Sequence, residues 1–298
     1  MAASLFDAAR DCLGAASPED KVAATHAAAA AFRRGELGID AGRGAGSGIG
    51  AGTGVEGDAE LRACGDVQTR AVSAVPEPIR MPGRPPRPRL VHPRELPRRG
   101  FGTDEGRAAF IHAIAHIEFN AIDLGWDAVY RFRGMPSEYY ADWVMVADDE
   151  ARHFTMLRDR LQAMGFDYGD FDAHNGLWEM AEKTAHDVLA RMALVPRVLE
   201  ARGLDVTPGM IVKLRALGDE ATVAILEVIL REEVAHVAAG SRWFRWCCER
   251  KGIDPEPRFR ELLAEYARAV LHGPFNIDAR SAAGFSDEEL AALQQLSN

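Results

Sequence analysis

The sequence contains few cysteines, and their spacing suggests neither a disulfide framework nor a zinc ribbon. Its 298 residues include only four cysteines, and no two of them form a Cys-x-x-Cys pair. These are Cys12, Cys64, Cys247 and Cys248. Because adjacent Cys247 and Cys248 cannot easily bridge each other, we expect reduced thiols and a cytoplasmic protein.

Long apolar runs and an excess of positive charge are also missing. No run of about 18 apolar residues occurs, so no membrane span is expected. The first ten residues lack a basic region followed by an apolar one, so the N-terminus does not resemble a signal peptide. A net charge of −10 argues against nucleic-acid binding by the surface as a whole, although it leaves room for a local basic patch.

Composition divides the chain into four segments. They are a helical segment at residues 1–35, a Gly-rich linker and Pro/Arg-rich arm at 36–100, a helical bundle at 101–253, and a helical extension packed on the bundle at 254–298. In the first segment, Ser17 followed by Pro18 is a typical helix start. The Gly-rich insertion at 41–71 has too few large side chains to bury much surface, so we interpret it as a flexible linker.

The arm Arg80–Arg99 contains seven arginines and six prolines against one glutamate. Proline excludes regular helix and favours extended structure. We interpret this segment as an extended arm laid across an acidic body. The alternative is that it contacts an anionic ligand or RNA.

Helix start and stop signals after Phe101 predict four bundle helices. The predicted ranges are 104–133, capped by Thr103, then 137–165, then about 174–217, and finally 219–251. After the bundle, we expect a helix at 257–271 and a short last helix capped by Ser286.

The third bundle helix is predicted to be irregular. Gly203 to Asp205 interrupts its pattern, and Thr207 with Pro208 resembles a cap and a restart. Pro196, inside the same helix, predicts a kink. This irregular side is where we would expect a substrate to enter, although packing alone is an adequate explanation.

The motif Glu-x-x-His occurs twice, at Glu150–His153 and at Glu233–His236. A further glutamate precedes each copy by a similar distance. Glu118 lies 32 residues before Glu150, and Glu200 lies 33 residues before Glu233. One copy of the motif is a weak signal, but two copies with matched upstream glutamates indicate the ligand set of a dinuclear site in a four-helix bundle.

Helical periodicity places these residues on the apolar faces of their helices. Residues three and four positions apart share a helix face, and the ligands continue apolar stripes at that spacing. Four inward carboxylates would repel one another strongly, and two divalent cations would neutralise them. The predicted metal ligands are Glu118, Glu150, His153, Glu200, Glu233 and His236. Glu200 lies 47 residues after His153, and this separation suits a crossover that joins two antiparallel hairpins.

Two acidic residues adjacent to the motifs are candidates for supporting the histidines. We predict that Asp149 contacts His236 and that Glu232 contacts His153, which would fix the orientation of each imidazole. The alternative is that both are solvated surface acids. We interpret His112 and His116 as hydrogen-bonded core or interface residues, and His174 could line an entrance.

At these residues the chain resembles the ferritin-like di-iron carboxylate superfamily, and more closely a bacterial branch of it with no assigned function. The resemblance covers most of the chain apart from the Gly-rich insertion. It rests on these sequence segments: Ala115–Glu118, Asp149–Phe154, Leu199–Asp205, Glu232–Val237, Arg242–Phe244, Arg84–Pro88, Phe275–Asn276 and Ala279–Arg280. It implies an all-α, ferritin-like four-helix bundle with extra N- and C-terminal helices and an extended Pro/Arg-rich arm. It also implies a centre of two Fe ions, or of one Fe and one Mn, and oxygen chemistry.

The resemblance leaves several functions open, because the superfamily includes hydroxylases (one of them tRNA-modifying), oxidases and iron-storage proteins. Our leading hypothesis is an O₂-activating oxidase or hydroxylase acting on an unknown organic small molecule. The alternatives are a ferroxidase or iron-handling protein, and a structural or interaction bundle that its metal only stabilises. The partners we expect are a small-molecule substrate, an RNA contact through Arg80–Arg99, a second copy in a homodimer, and no membrane.

Overall fold

The computed structural model describes residues 3–39, 76–97, 100–267 and 273–295. The predicted linker at 41–71, with Cys64, and the last two residues of the arm, Arg98 and Arg99, lie outside these ranges. Helices dominate, and the named strands in the described ranges are the two-residue β1 (Ala3–Ser4) and β2 (Leu37–Gly38), which pair in parallel. The predicted all-α bundle is confirmed. None of the described helices is both long and apolar enough to cross a membrane.

The helices follow one another in this order along the chain. They are α1 (Leu5–Gly14), α2 (Pro18–Arg33), α3 (Asp104–Arg131), α4 (Ser137–Ala163), α5 (Gly176–Lys183), α6 (Val188–Leu194), a π-helical turn (Val195–Glu200), α7 (Ala201–Ala216), α8 (Glu220–Lys251), α9 (Pro255–Leu262), a second π-helical turn (Leu263–Ala267), α10 (Ile277–Ala282) and α11 (Asp287–Gln295). A short 3₁₀ turn, Pro93–Glu95, lies in the arm.

The predicted helix boundaries hold where a polar side chain caps the first turn. Thr103 Oγ1 accepts a hydrogen bond from the Gly106 backbone N–H at 3.0 Å at the start of α3. Ser17 and Ser286 cap α2 and α11 in the same way. The C-terminus of α8 ends at Gly252, whose φ of 64° favours glycine.

Glycines allow close contacts between helices at two places in the bundle. A Cβ atom on Gly125 of α3 would lie 2.9 Å from the Cβ atom of Ala147 on α4. A Cβ atom on Gly240 of α8 would lie 2.3 Å from Pro196 Cγ in the π-helical turn. Each glycine lies seven residues after a predicted ligand of its own helix, so helices approach closely two turns from the site.

The predicted interruption of the third helix at Gly203–Asp205, with a restart at Thr207–Pro208, is wrong. Helix α7 continues through both sites, with Pro208 in its interior. Proline cannot donate to the carbonyl four residues earlier, but that carbonyl, on Leu204, accepts a hydrogen bond from Asn276 Nδ2 at 3.1 Å. The C-terminal extension therefore satisfies the group that Pro208 leaves free. The helix instead breaks earlier, between α5 and α6.

The predicted distortion at Pro196 is confirmed, and it takes the form of the π-helical turn Val195–Glu200. Pro196 lies in the first part of this turn and lacks a backbone N–H. Such turns insert a residue into a helix and are frequent at functional sites. Here the turn ends at Glu200.

The C-terminal extension packs on the bundle through two buried ion pairs. Arg280 of α10 binds Asp205 of α7, with the shorter contact at 2.7 Å. Arg197 of the π-helical turn binds Glu289 of α11 through two contacts of 2.6 and 2.7 Å. The predicted helix at 257–271 begins as α9 and passes into a π-helical turn, and residues 268–271 lie outside the described ranges. Helix α10 was not predicted.

The described part of the arm lies along the bundle, as the extended-arm interpretation requires. Arg84 Nη2 donates to Asn120 Oδ1 of α3 at 2.6 Å. Trp178 Nε1 of α5 donates to the carbonyl of Arg80 at 2.7 Å. The backbone N–H of Val91 donates to the carbonyl of Ala173 at 2.8 Å. These contacts hold the arm at several points along its length.

We predict that Gly240→Ala destabilises the protein by about 1–3 kcal/mol, because the added methyl group would collide with Pro196. Gly209→Ala is the matched control, since this helical glycine of α7 has open space at its Cβ position. Alanine there should leave stability unchanged or raise it by up to about 1 kcal/mol. Urea denaturation of the two variants measures the difference, and equal effects would contradict the close contact.

Candidate metal centre

The structure brings the six predicted ligands into the middle of the bundle from four helical elements. Glu118 comes from α3, Glu150 and His153 from α4, Glu200 from the π-helical turn, and Glu233 with His236 from α8. All six residues are buried, and none is more than 8% exposed. Burial of this kind is costly for charged groups unless they are paired or bind a metal.

Two histidines each approach two carboxylates. His153 Nδ1 lies 3.3 Å from Glu118 Oε2 and 3.4 Å from Glu150 Oε2. His236 Nδ1 lies 3.0 Å from Glu150 Oε1 and 3.4 Å from Glu233 Oε1. Ligands bound at right angles to one metal at about 2.1 Å lie about 3 Å apart, so these spacings suit shared coordination. Glu150 directs one oxygen to each histidine and is placed to bridge two metals.

The six candidate ligands are not equally close to one another. Glu118, Glu150, His153 and Glu233 each offer a ligand atom, and these four atoms all lie within 4.8 Å of one another. His236 joins the group through its contacts with Glu150 and Glu233. Glu200 lies further out, but its charge interacts with those of Glu233 and Glu150.

Seven buried ligand atoms have no hydrogen-bond partner among the described residues. They are Glu118 Oε2, both carboxylate oxygens of Glu150, His153 Nδ1, Glu200 Oε2, Glu233 Oε2 and His236 Nδ1. The short contacts between them therefore lack hydrogen-bond geometry. An unsatisfied buried polar atom costs about 1–3 kcal/mol, so this concentration favours protons or bound cations at the cluster.

Each of the other buried acidic residues of the described bundle forms an ion pair with a lysine or an arginine. Asp123 pairs with Lys21 at 2.6 Å, Asp127 with Arg191 at 2.5 Å, and Asp219 with Arg160 at 2.9 Å. Asp205 and Glu289 pair with the arginines described above. In the described chain, no lysine or arginine forms an ion pair with the four clustered glutamates. Apart from the two histidines, the cations that could balance this cluster are therefore bound ions rather than side chains.

The outer nitrogen, Nε2, of each histidine contacts the acidic residue that we predicted from the sequence for it. His153 Nε2 lies 2.8 Å from Glu232 Oε2, and His236 Nε2 lies 3.3 Å from Asp149 Oδ2. A proton held on Nε2 by these carboxylates leaves the Nδ1 lone pair directed into the cluster. That the two carboxylates support metal ligands stays a prediction.

Arg152 links the two supporting carboxylates and was not identified from the sequence. Its Nη2 donates to Asp149 Oδ1 at 2.9 Å and to Glu232 Oε2 at 2.6 Å. Its position three residues after Asp149, on the same helix face, could have indicated the first contact but not the second. The guanidinium and His236 contribute to holding the pKa of Asp149 at about 2, against the opposing effect of burial.

The protonation of the metal-free cluster follows from burial and crowding. Burial, and then the charge of Glu150, raises the pKa of Glu118 to about 8. Burial, and then the charge of Glu233, raises the pKa of Glu200 well above its usual range. Although burial opposes it, contact with Glu118 and Glu150 raises the pKa of His153 to about 11. The cluster thus retains protons at neutral pH, which bound cations would displace.

The pair Arg197–Glu289 is a second feature that the sequence did not reveal. Arg197 lies three residues before Glu200 in the π-helical turn, and its guanidinium is surrounded by three phenylalanine rings at 4.1–4.8 Å. Its Nε also donates to Ser241 Oγ of α8 at 3.2 Å. The C-terminal helix thereby fixes the turn that presents Glu200.

The three other histidines considered in the sequence analysis, His112, His116 and His174, lie outside the cluster. His116 Nδ1 lies 2.8 Å from the Tyr168 hydroxyl, and its Nε2 lies 3.0 Å from the carbonyl of His174. His112 Nε2 accepts from the Gly169 backbone N–H at 2.9 Å. Both are hydrogen-bonded core residues. The side chain of His174 accepts a backbone hydrogen bond from Gly176 at the start of α5.

We predict that the metal-free protein loses stability as the pH rises from about 6.5 to about 8. Below about 6.5 the trend is opposed by His112 and His116, because burial lowers their pKa to about 4 and about 3. The folded state keeps protons on Glu118 and Glu200 that the unfolded chain releases above its carboxyl pKa of 4.5. The stability from His153 is likewise complete below 6.5 and declines as the pH rises towards about 11. Urea denaturation across this range measures the trend, and Glu118→Gln should flatten it. A flat profile in the unchanged protein would contradict the protonated cluster.

We further predict that Glu289→Gln weakens divalent-metal binding by roughly 10–100-fold, as expected when the support of a ligand is loosened. The reason is that Arg197 would lose its charged partner and the turn carrying Glu200 would relax. Glu261→Gln is the matched control, because it removes an exposed acid from the same extension. Titration with Co²⁺, followed by its visible absorption, compares the variants, and equal affinities would remove Glu289 from the support of the site.

Comparison with known proteins supplies the family. The model of a family described as protein of unknown function (DUF455) matches residues 14–291. An uncharacterised protein of Haemophilus influenzae is 49% identical over 213 residues, which cover 69% of this chain and 74% of the relative. No solved structure matches. The family match covers nearly the whole chain, including all six candidate metal ligands. We conclude that this protein belongs to the DUF455 family.

Proposed function

We propose that this protein holds two Fe ions, or one Fe and one Mn, and uses them to activate O₂ for the oxidation or hydroxylation of a small organic substrate. One observation carries the proposal: the four clustered glutamates have no lysine or arginine partner in the described structure, whereas the other buried acids there do. Two divalent cations would balance four carboxylates and satisfy the unpaired ligand atoms.

The donor set fits iron or manganese better than it fits zinc. Structural zinc sites are usually tetrahedral and use cysteine and histidine, whereas carboxylate oxygens with a few imidazoles suit iron and manganese. The arrangement of one Glu and one Glu-x-x-His for each pair of helices is the pattern of ferritin-like dinuclear bundles. This pattern supports the ferritin-like assignment that the sequence implied.

The side chains around the centre have separate tasks in this proposal. Glu150 would bridge the two metals, because its oxygens face different histidines. Asp149 and Glu232 hold the protons of the imidazoles on the outer nitrogens, and Arg152 keeps both carboxylates in place. The buried apolar residues on the same stripes, including Trp143, exclude water. Bound iron or manganese would supply the redox chemistry that O₂ activation needs.

A metal that only stabilises the bundle is the second candidate. The near-complete burial of the six ligands favours it, since they join α3, α4, the π-helical turn and α8. Metal removal would then lower stability without affecting any reaction. A ferroxidase would oxidise iron without an organic substrate. It would be recognised by continued uptake of added iron beyond two ions per chain.

We predict that protein purified without oxygen binds two iron ions, or one iron and one manganese, per chain. Exposure of the Fe(II)-loaded protein to O₂ should change its optical spectrum. The double variant Glu150→Ala with His236→Ala should lose metal binding, because it removes a shared ligand and a nitrogen ligand. Glu249→Ala, which removes an exposed acid from α8, is the control. Metal analysis with EPR or Mössbauer spectroscopy gives the readout.

The outcomes separate the candidates. Two bound metals with an O₂-dependent spectral change support the proposal, and continued uptake of many irons would favour iron handling instead. Bound metal that raises the melting temperature and shows no reaction with O₂ would favour the structural role. Zinc, or no metal at all, in natively expressed protein would rule out the proposed centre.

A further inference from the structure

A cavity of about 340 Å³ lies between the arm and the bundle, on the α3 side of the metal centre. Three prolines and Leu90 of the arm form part of its wall. Phe119 and His116 of α3 contribute to the opposite side, together with Tyr168 from the connection between α4 and α5. This volume is at the lower end of the roughly 300–1,000 Å³ typical of ligand pockets, so it suits one small molecule.

The lining of the cavity is positively charged and contains no acid. Arg84 and Arg89 are its two charged residues. Arg84 is half-buried, and its Nη2 is bound to the neutral Asn120. Its charge interacts with that of Asp123, but Asp123 forms its ion pair with Lys21 and not with Arg84. Arg84 Nε is buried and has no hydrogen-bond partner in the described chain. Arg89 is exposed and pairs with Asp172 at the rim.

The rest of the lining is flat and apolar. Tyr168 packs against Phe119 with ring centroids 5.2 Å apart, and the Tyr168 hydroxyl is occupied by His116. The aromatic rings are planar, the proline rings are apolar, and neither kind of ring adds a free hydrogen-bond group. A ligand that satisfies this lining has a negative group for the arginines and a flat apolar body for the rings.

The floor of the cavity is formed by the outward face of α3. Phe119, which lines the cavity, packs against Phe154 of α4 with ring centroids 5.1 Å apart. His116, which also lines it, lies two residues before Glu118 and therefore about 160° away around the helix. The cavity is thus behind α3 as seen from the candidate ligands.

The contacts of the arm indicate a formed pocket rather than a loose cover. Backbone hydrogen bonds join Val91 to Ala173 and Ala173 to Arg89, on one side of the cavity. On the other side, the carbonyl of Arg80 accepts from Trp178. The arm is thus fixed to the bundle before and after the residues that line the cavity.

We propose that this cavity binds a small carboxylate with an apolar, ring-containing body. This binding does not rest on the proposed function. Arg84 lines the cavity and its Nη2 contacts α3, which favours a small ligand in the pocket over RNA on the outer face of the arm.

We predict that the metal-free protein binds benzoate, which serves as the probe, with a Kd in the millimolar range. Benzamide has the same ring without the charge, and inorganic phosphate has charge without the ring, so both should bind at least about tenfold more weakly. A factor of ten corresponds to about 1.4 kcal/mol. Ligand-observed NMR measures all three. Equal binding of benzoate and benzamide, or no binding of either, would overturn the proposal.

Substitutions of the arginines that line the cavity test whether benzoate binds there. Arg84→Gln should weaken benzoate binding at least about tenfold, and Arg89→Gln should weaken it less because Arg89 is exposed and already paired. Arg94→Gln is the control, as an exposed arginine of the arm outside the lining. If Arg84→Gln fails to fold, as judged by circular dichroism, Arg89→Gln still provides the test. Unchanged benzoate binding in both pocket variants would overturn the assignment.

Discussion

The structure depends on the burial of four carboxylates in one place. Removing a carboxylate from water costs several kcal/mol even after the protein relaxes, and the carboxylates also repel one another. Elsewhere the bundle meets this cost with a dedicated basic side chain, as Lys21 does for Asp123. At the centre it uses two imidazoles, which bear charge only when protonated, and leaves seven ligand atoms without hydrogen bonds. Such an arrangement is stable only with protons or cations, and the choice between them depends on pH and metal supply.

The two halves of the centre are supported in different ways. Regular helices α3 and α4 carry Glu118, Glu150 and His153, and the close contact at Gly125 holds these helices together. The other half includes Glu200, which ends a π-helical turn and cannot rely on regular helical hydrogen bonding for its position. The C-terminal extension compensates by contacting the chain on both sides of Glu200, through Arg197 and through Asp205.

The residues of the candidate site could be predicted from the sequence because the signals that identify them come from residues close together along the chain. A spacing of three residues fixes which side chains share a helix face, and adjacency placed Asp149 and Glu232 beside the motifs. The predictions were wrong or incomplete where contacts between residues far apart in sequence determine the local structure. Gly203 and Pro208 resemble a break, yet the helix continues because Asn276 satisfies the carbonyl of Leu204. The spacing of Arg197 and Glu289, 92 residues apart, leaves no periodic signal.

The same long-range contacts change the interpretation of the irregular helix. A π-helical turn beside a metal centre suggests an opening, and that was our expectation for substrate entry. The structure fills this region instead, because Pro196 packs against Gly240 and three phenylalanine rings surround Arg197. The irregularity therefore serves packing and the placement of Glu200. None of the residues that line the cavity under the arm comes from this irregular segment. They come from the arm, from the regular helix α3 and from Tyr168.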